Sequence, residues 1–144
     1  MSALLAVEAV SKRFGGLTAV DGVTFRTDEG AITGLIGPNG AGKSTLFALI
    51  SGFERPSFGR VLFRGSDITA AQPHLRTLAG IARSFQIVQP FGRLTVLENI
   101  AVGAHLRHRA RAEALGKARA VAELVGLRGL LDSCLLYTSP SPRD

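Results

Sequence analysis

The most constraining feature of the sequence is Gly37-Pro-Asn-Gly-Ala-Gly-Lys-Ser44, set between an almost unbroken apolar run, Ala31–Ile36, and a stretch with apolar residues at helical spacing. A triphosphate is compact and highly charged, so many donors must converge on it. Gly37, Gly40 and Gly42 permit positive φ and bring backbone N–H groups against such an anion with no Cβ in the way. A helix is predicted from Lys43 to Ser51, with Leu46, Phe47, Leu49 and Ile50 as its apolar stripe and Gly52 as its stop. Its N-terminal N–H groups would point at the same anion. Lys43 adds a point charge for the β/γ oxygens, and the Ser44 hydroxyl suits Mg²⁺. This is the Walker A P-loop pattern, and a buried strand before it with a helix after it is the context the pattern requires.

The 144 residues fit one domain or a large fragment of one, and with 46% apolar residues a buried core is expected. No apolar run approaches the roughly 18–20 residues that span a bilayer. The N-terminal segment lacks a basic stretch, and Glu8 interrupts its apolar run, so no signal peptide is read and a cytoplasmic location is expected. The single cysteine, Cys134, rules out an internal disulfide. The net charge of +6 raises nucleic acid as a partner, but the basic cluster from His105 to Arg111, with Lys117 and Arg119, falls in an Ala/Leu-rich helical stretch and reads as a solvated face. There is no tryptophan and no interleaving of aromatic with basic residues, so nucleic acid is not expected.

Strands are predicted at Leu4–Val7 with Val10, and at Val20, Val23 and Phe25, where polar residues interleave. Pro56–Gly59 reads as a turn, Arg60–Arg64 as a strand, and Gly65–Asp67 as a second turn. A short helix over Pro73–Leu78 and a short strand over Ile81–Phe85 follow. Thr95 and Glu98 have capping-box spacing, so a helix is predicted from Thr95 to about Arg107, and another from Arg109 to Val125, stopped by Gly126.

The stretches Lys12-Arg-Phe-Gly-Gly-Leu-Thr-Ala-Val-Asp-Gly-Val23, Gly34-Leu-Ile-Gly-Pro-Asn-Gly-Ala-Gly-Lys-Ser-Thr45, Ala82-Arg-Ser-Phe-Gln86 and Leu94-Thr-Val-Leu-Glu-Asn99 together resemble an ABC transporter ATP-binding subunit. The resemblance runs from about residue 4 to residue 133. Arg13-Phe-Gly-Gly-Leu-Thr-Ala-Val20 paired with Ala82-Arg-Ser-Phe-Gln86 is most similar to the LivG-type subunit of branched-chain amino-acid importers, with a urea-importer ATPase as nearest rival. It implies an α/β fold: an incomplete P-loop NTPase core with an antiparallel β subdomain and the start of the helical subdomain. Residues 1–90 would form the core part, ending at the Q-loop, and residues 91–133 the helical start. A non-transport P-loop module is the alternative from another class.

The resemblance also implies roles. Phe14 would stack on adenine, although a lone Phe after a strand is core at least as often. Val20 would pack on the nucleoside. Gly37, Asn39, Gly40, Ala41, Gly42, Lys43, Ser44 and Thr45 would hold ATP, with Lys43 and Gln86 serving catalysis and Ser44 and Gln86 holding Mg²⁺. Ile87–Arg93, with Pro90, Phe91 and Gly92, would form a mobile loop that meets membrane permease subunits. A second ATPase subunit, identical or LivF-like, would complete the site, and a periplasmic binding protein would act indirectly. The subunit would sit at the inner face of the bacterial plasma membrane. His74, His105 and His108 lack metal-site spacing, and Asp67, Asp21 and Glu98 read as local structure.

No Leu-Ser-Gly-Gly-Gln-like signature, Walker B strand or switch histidine occurs in the sequence, so the chain alone is not expected to hydrolyse ATP. Residues 134–144, Cys-Leu-Leu-Tyr-Thr-Ser-Pro-Ser-Pro-Arg-Asp, are unlike the family and resemble a translated sequencing-library adapter, so they read as a non-native tail.

Overall fold

The structure is a computed structural model and describes residues 3–134. Contacts divide it between Arg83 and Ser84. In the first unit β1 (Leu5–Phe14), β2 (Leu17–Thr27), β3 (Phe58–Phe63) and β4 (Ser66–Asp67) form an antiparallel sheet of order β2-β1-β3-β4. Helices α1 (Lys43–Ser51) and α2 (Pro73–Ala79) belong to the same unit.

The spacing of Val7 and Val10 does not alternate, and the structure explains why. The register of β1 against β2 shifts between Val7 and Val10, with Ala9 at φ 47° in the middle of a bulge. The displaced Ala9 N–H donates to Thr24 Oγ1 at 2.8 Å. Gly59 of β3, at φ 82°, makes room: a Cβ there would lie 2.3 Å from the Ala9 carbonyl oxygen. The bulge therefore lets both Val7 and Val10 reach the core, where they meet Val20, Val61, Phe63 and Ile68 and, from α1, Leu46 and Leu49.

Helix α1 begins and ends where its sequence predicts, with Gly42 before it and Gly52 after it in the left-handed region at φ 87° and 84°. The hairpin differs slightly. Phe58 and Gly59 join β3 because they pair with β1 near Ser11, and the tight turn is Arg64–Gly65.

Ala31–Ile36 does not form the expected strand. Ile32 and Ile36 are 102% and 96% exposed, and no strand among the described residues pairs with this segment. A central strand exists only through its ladders on both sides, so apolar composition alone cannot hold it. Ile81–Phe85 likewise forms no strand, for the same reason. Between Leu35 and the sheet–α1 layer lies an apolar cavity of about 690 Å³, lined by Leu5, Phe25, Phe47, Ile50, Phe63 and Ile81 among others.

The second unit holds α3 (Val96–Ala104), α4 (Arg111–Leu124) and a 3₁₀ turn at Arg128–Leu130. The capping box is formed: Glu98 N–H donates to Thr95 Oγ1 at 3.2 Å, and Thr95 N–H to Glu98 Oε2 at 3.0 Å. Val96 and Leu97 N–H, which have no intrahelical partner, donate to the carbonyls of Ser133 and Leu131. Helix α3 stops at Ala104, short of the expected Arg107, and residues 105–107 form a turn. Ala101, Ala118 and Ala122 let α3 and α4 approach closely around Leu97 and Leu131. The reading of residues 134–144 as a tail falls outside the described residues, apart from Cys134, a free thiol bridged by backbone to Thr95.

Candidate nucleotide site

The Gly37–Ser44 loop runs against β2. Gly42 reaches so close to it that an added Cβ would stand 2.1 Å from the Ala19 carbonyl oxygen and 3.4 Å from Val20 Cγ2. At φ 87° the position also disfavours any side chain. Gly40 sits at φ 81°. Gly37 does not share the positive φ expected of it, because it lies ahead of the turn at Asn39–Gly40, which Ala41 N–H closes on the Pro38 carbonyl.

Lys43 opens α1 and folds its side chain back over the loop, donating from Nζ to the Gly37 carbonyl at 2.5 Å and the Pro38 carbonyl at 2.6 Å. Ala41 N–H also donates to the Pro38 carbonyl, at 3.3 Å. Ser44 is exposed in the first turn. A cavity of about 370 Å³ opens here, lined by Asn39, Gly40, Gly42, Lys43, Ser44 and Thr45 on one side and by Phe14, Leu17, Thr18 and Ala19 on the other. The β1–β2 hairpin thus brings the end of β1 to the start of α1. Phe14 is half-exposed in this cavity, and Lys12 Nζ lies 4.8 Å from its ring centroid. Lys12 is held there by the Arg55 carbonyl and by Glu54 at 2.8 Å. Sequence reasoning missed Lys12, whose partners are far away in the chain.

Val20 does not line this cavity. It is 6% exposed in the core, against the space left by Gly42, because the inward face of β2 packs on α1. Gln86 lies on an exposed bend in the second unit. Ile87, Val88 and Phe91 after it are exposed. At the far end of the loop Asn99 Oδ1 accepts from Phe91 N–H at 2.8 Å, and Asn99 Nδ2 donates to the Phe91 carbonyl at 3.1 Å.

Among the described residues no cluster of His, Cys, Asp or Glu could hold a metal on its own. His108 Nδ1 lies 2.6 Å from Glu113 Oε1 and helps close the α3–α4 connection. Asp67, read as a turn residue, ends the short strand β4, paired with Leu62 just after the Arg64–Gly65 turn. Its carboxyl is held below the usual range by hydrogen bonds from Thr69, whose N–H lies 2.8 Å from Oδ1.

Residues 20–139 match the model of the ABC transporter family, and the chain belongs to that family. Relatives include probable branched-chain amino acid transport ATP-binding proteins LivG from Archaeoglobus fulgidus, 46% identical over 99 residues, and from Methanocaldococcus jannaschii, 45% over 100. These alignments cover 69% of this chain and 38% and 39% of the relatives. The sulfate/thiosulfate import ATP-binding protein CysA of Mycobacterium tuberculosis is 38% identical over 129 residues, 90% of this chain and 36% of its own length. Among solved structures, the ADP conformation of an ATP-binding cassette of an ABC transporter aligns with TM-score 0.81 at 34% identity, covering 96% of this chain and 60% of that one. The chain therefore spans well under two thirds of the relatives it matches. Its fold is that of an ABC ATPase domain in part: an α/β unit with an antiparallel sheet, and a partial helical unit. Among the described residues no helix is long and apolar enough to cross a membrane.

Proposed function

We propose that this chain is the nucleotide-binding part of the ATPase subunit of an ABC importer for branched-chain amino acids. The observation that carries the nucleotide reading is the single cavity shared by Phe14 with Asn39, Gly40 and the residues from Gly42 to Thr45. It offers an aromatic face for a purine, a loop that tolerates close approach by a phosphate, and a helix N-terminus. The residues of this cavity fit ATP with Mg²⁺: Asn39, Gly40, Gly42, Lys43 and Thr45 would hold the phosphates, and Ser44 the metal; a role for Gln86 rests on the resemblance alone. Mg²⁺ would supply charge neutralisation between phosphate oxygens.

The two LivG relatives and the Phe85–Gln86 pair support branched-chain amino acids as the cargo class. Sulfate or thiosulfate is the second reading, favoured by the CysA relative's longer alignment. The exposed Ile87, Val88 and Phe91 would face permease subunits, at the cytoplasmic side of the membrane. A second ATPase subunit would supply the signature and complete the site. The 144 residues alone would bind nucleotide without turning it over.

A Mg-ATP titration of the purified chain tests this. Saturable binding that Lys43→Ala weakens is expected, with no steady-state ATPase activity. A well-folded chain that ignores Mg-ATP would refute the nucleotide reading, and turnover abolished by Lys43→Ala would refute the hydrolysis reading. For the cargo, uptake of labelled leucine and of labelled sulfate by cells with and without the parent gene separates the two readings.

A further inference from the structure

Arg76 is the largest fully buried side chain among the described residues, at 1% exposure. Its guanidinium donates to backbone carbonyls: Nε to Ala71 at 2.9 Å, Nη1 to Leu49 at 2.6 Å and Ile50 at 2.8 Å, and Nη2 to Thr69 at 2.9 Å. Leu49 and Ile50 belong to the last turn of α1, whose carbonyls have no partner within the helix and carry its partial negative charge. Gly52 completes the fit, since a Cβ there would lie 2.7 Å from Arg76 Nε.

The backbone of the same residue holds the next segment. The Arg76 carbonyl accepts from Gly80 N–H at 3.1 Å and from Ile81 N–H at 2.9 Å. A second grip follows, with Arg83 Nη1 3.3 Å from Ser51 Oγ and its guanidinium 5.7 Å from the Phe53 ring centroid. The last turn of α1 is therefore tied at two points to the connection that runs into Gln86. The first turn of that nine-residue helix carries Lys43 and Ser44. So short a helix, about 13 Å long, moves as a rod. Burying a cation on carbonyls is a costly way to gain stability but a sharp way to fix geometry.

We propose that Arg76 is a positioning residue that makes α1 and residues 80–83 move as one body, so that phosphate engagement at Lys43 and Ser44 reaches the segment from Gly80 to Arg83. This rests on reading residues 37–45 as the phosphate loop.

Hydrogen exchange of the purified chain, with and without Mg-ATP, tests it in the wild type, Arg76→Gln and Arg76→Lys. In the wild type, Mg-ATP should slow exchange in residues 42–46 and also in residues 80–83, by roughly threefold or more. Arg76→Gln should keep the first effect and lose the second, with Arg76→Lys in between. Slowing at 80–83 that survives in Arg76→Gln overturns the proposal, as does slowing at 42–46 alone in the wild type. If Mg-ATP slows neither region, the phosphate-loop reading fails by itself. The coupling is then read without nucleotide: Arg76→Gln should speed exchange in 47–53 and 80–83 together, leaving 5–27 unchanged, and a rise confined to one region overturns it. Should Arg76→Gln not fold, Arg76→Lys and Arg83→Gln carry the same comparisons, each with partial loss expected.

Discussion

The carbonyl oxygen of Ala19 lies where a side chain on Gly42 would begin, 2.1 Å from an ideal Cβ. Gly42→Ala must therefore push β2 off the phosphate loop while also accepting a strained φ of 87°. The backbone strain alone is about 1–2 kcal/mol. A lowered melting temperature is expected, with Mg-ATP affinity down by about tenfold or more, some 1.4 kcal/mol. Unchanged affinity in a titration would contradict this placement of the loop.

Lys43→Ala separates binding from folding. The Nζ bonds to the Gly37 and Pro38 carbonyls are exposed, and such bonds each contribute on the order of 1 kcal/mol or less. A thermal melt should shift little, whereas Mg-ATP affinity should fall by roughly 10–100-fold, the loss expected for a charge-assisted contact of about 1.5–3 kcal/mol.

Phe14 is testable with two ligands. Phe14→Ala should weaken ATP about 5–50-fold, since base–aromatic stacking is worth about 1–3 kcal/mol. Tripolyphosphate, which has no base, should bind both forms equally. Equal loss for both ligands would place Phe14 in the loop's support instead of against the purine.

The capping box gives a pH dependence. Glu98 is held below the ordinary carboxylate range, first by the Thr95 N–H and then by the Thr95 hydroxyl and Arg111. The unfolded chain therefore binds more protons between the two values, and stability rises with pH across that window. The contribution is complete above the ordinary range and is lost as pH falls through the lowered value. Unfolding curves of Glu98→Gln should be flatter than wild type there. Thr95→Ala should cost about 1 kcal/mol at neutral pH.

Exposed Ile32 and Ile36 beside the 690 Å³ apolar cavity predict self-association. Sedimentation should show mass rising with protein concentration, and Ile36→Lys should reduce it. A strictly monomeric wild type at high concentration would count against an exposed apolar face.

Local features were legible in the sequence. Helix α1, its two flanking glycines and the Thr95–Glu98 box depend on neighbours within a turn, so composition at fixed spacing reveals them. Features that depend on distant partners were not. The run Ala31–Ile36 has the composition of a buried strand but no ladder to join. Arg76 looks like any surface arginine until Leu49 and Ile50, 27 and 26 residues earlier, place their carbonyls around it. Val20 was assigned by resemblance alone, and its place in the core cluster depends on Leu46 and Leu49 of α1, which local spacing does not bring to it. Phe14 was assigned by resemblance alone, and the hairpin that sets it opposite Lys43 supplies the geometry.

The bulge at Ala9 bears on that aromatic as well. A strand counts in twos, so one extra residue inverts the parity of everything after it. Phe14 lies beyond that bulge and beyond two further register shifts, between Val10 and Lys12 and between Lys12 and Arg13. Excising Ala9 would put Val7 and Val10 two apart, so plain alternation would carry both inward and the residues after them would keep their faces. Straightening β1 with Ala9 still in place is what would invert them, so this site depends on how a surplus residue is absorbed as much as on its motifs.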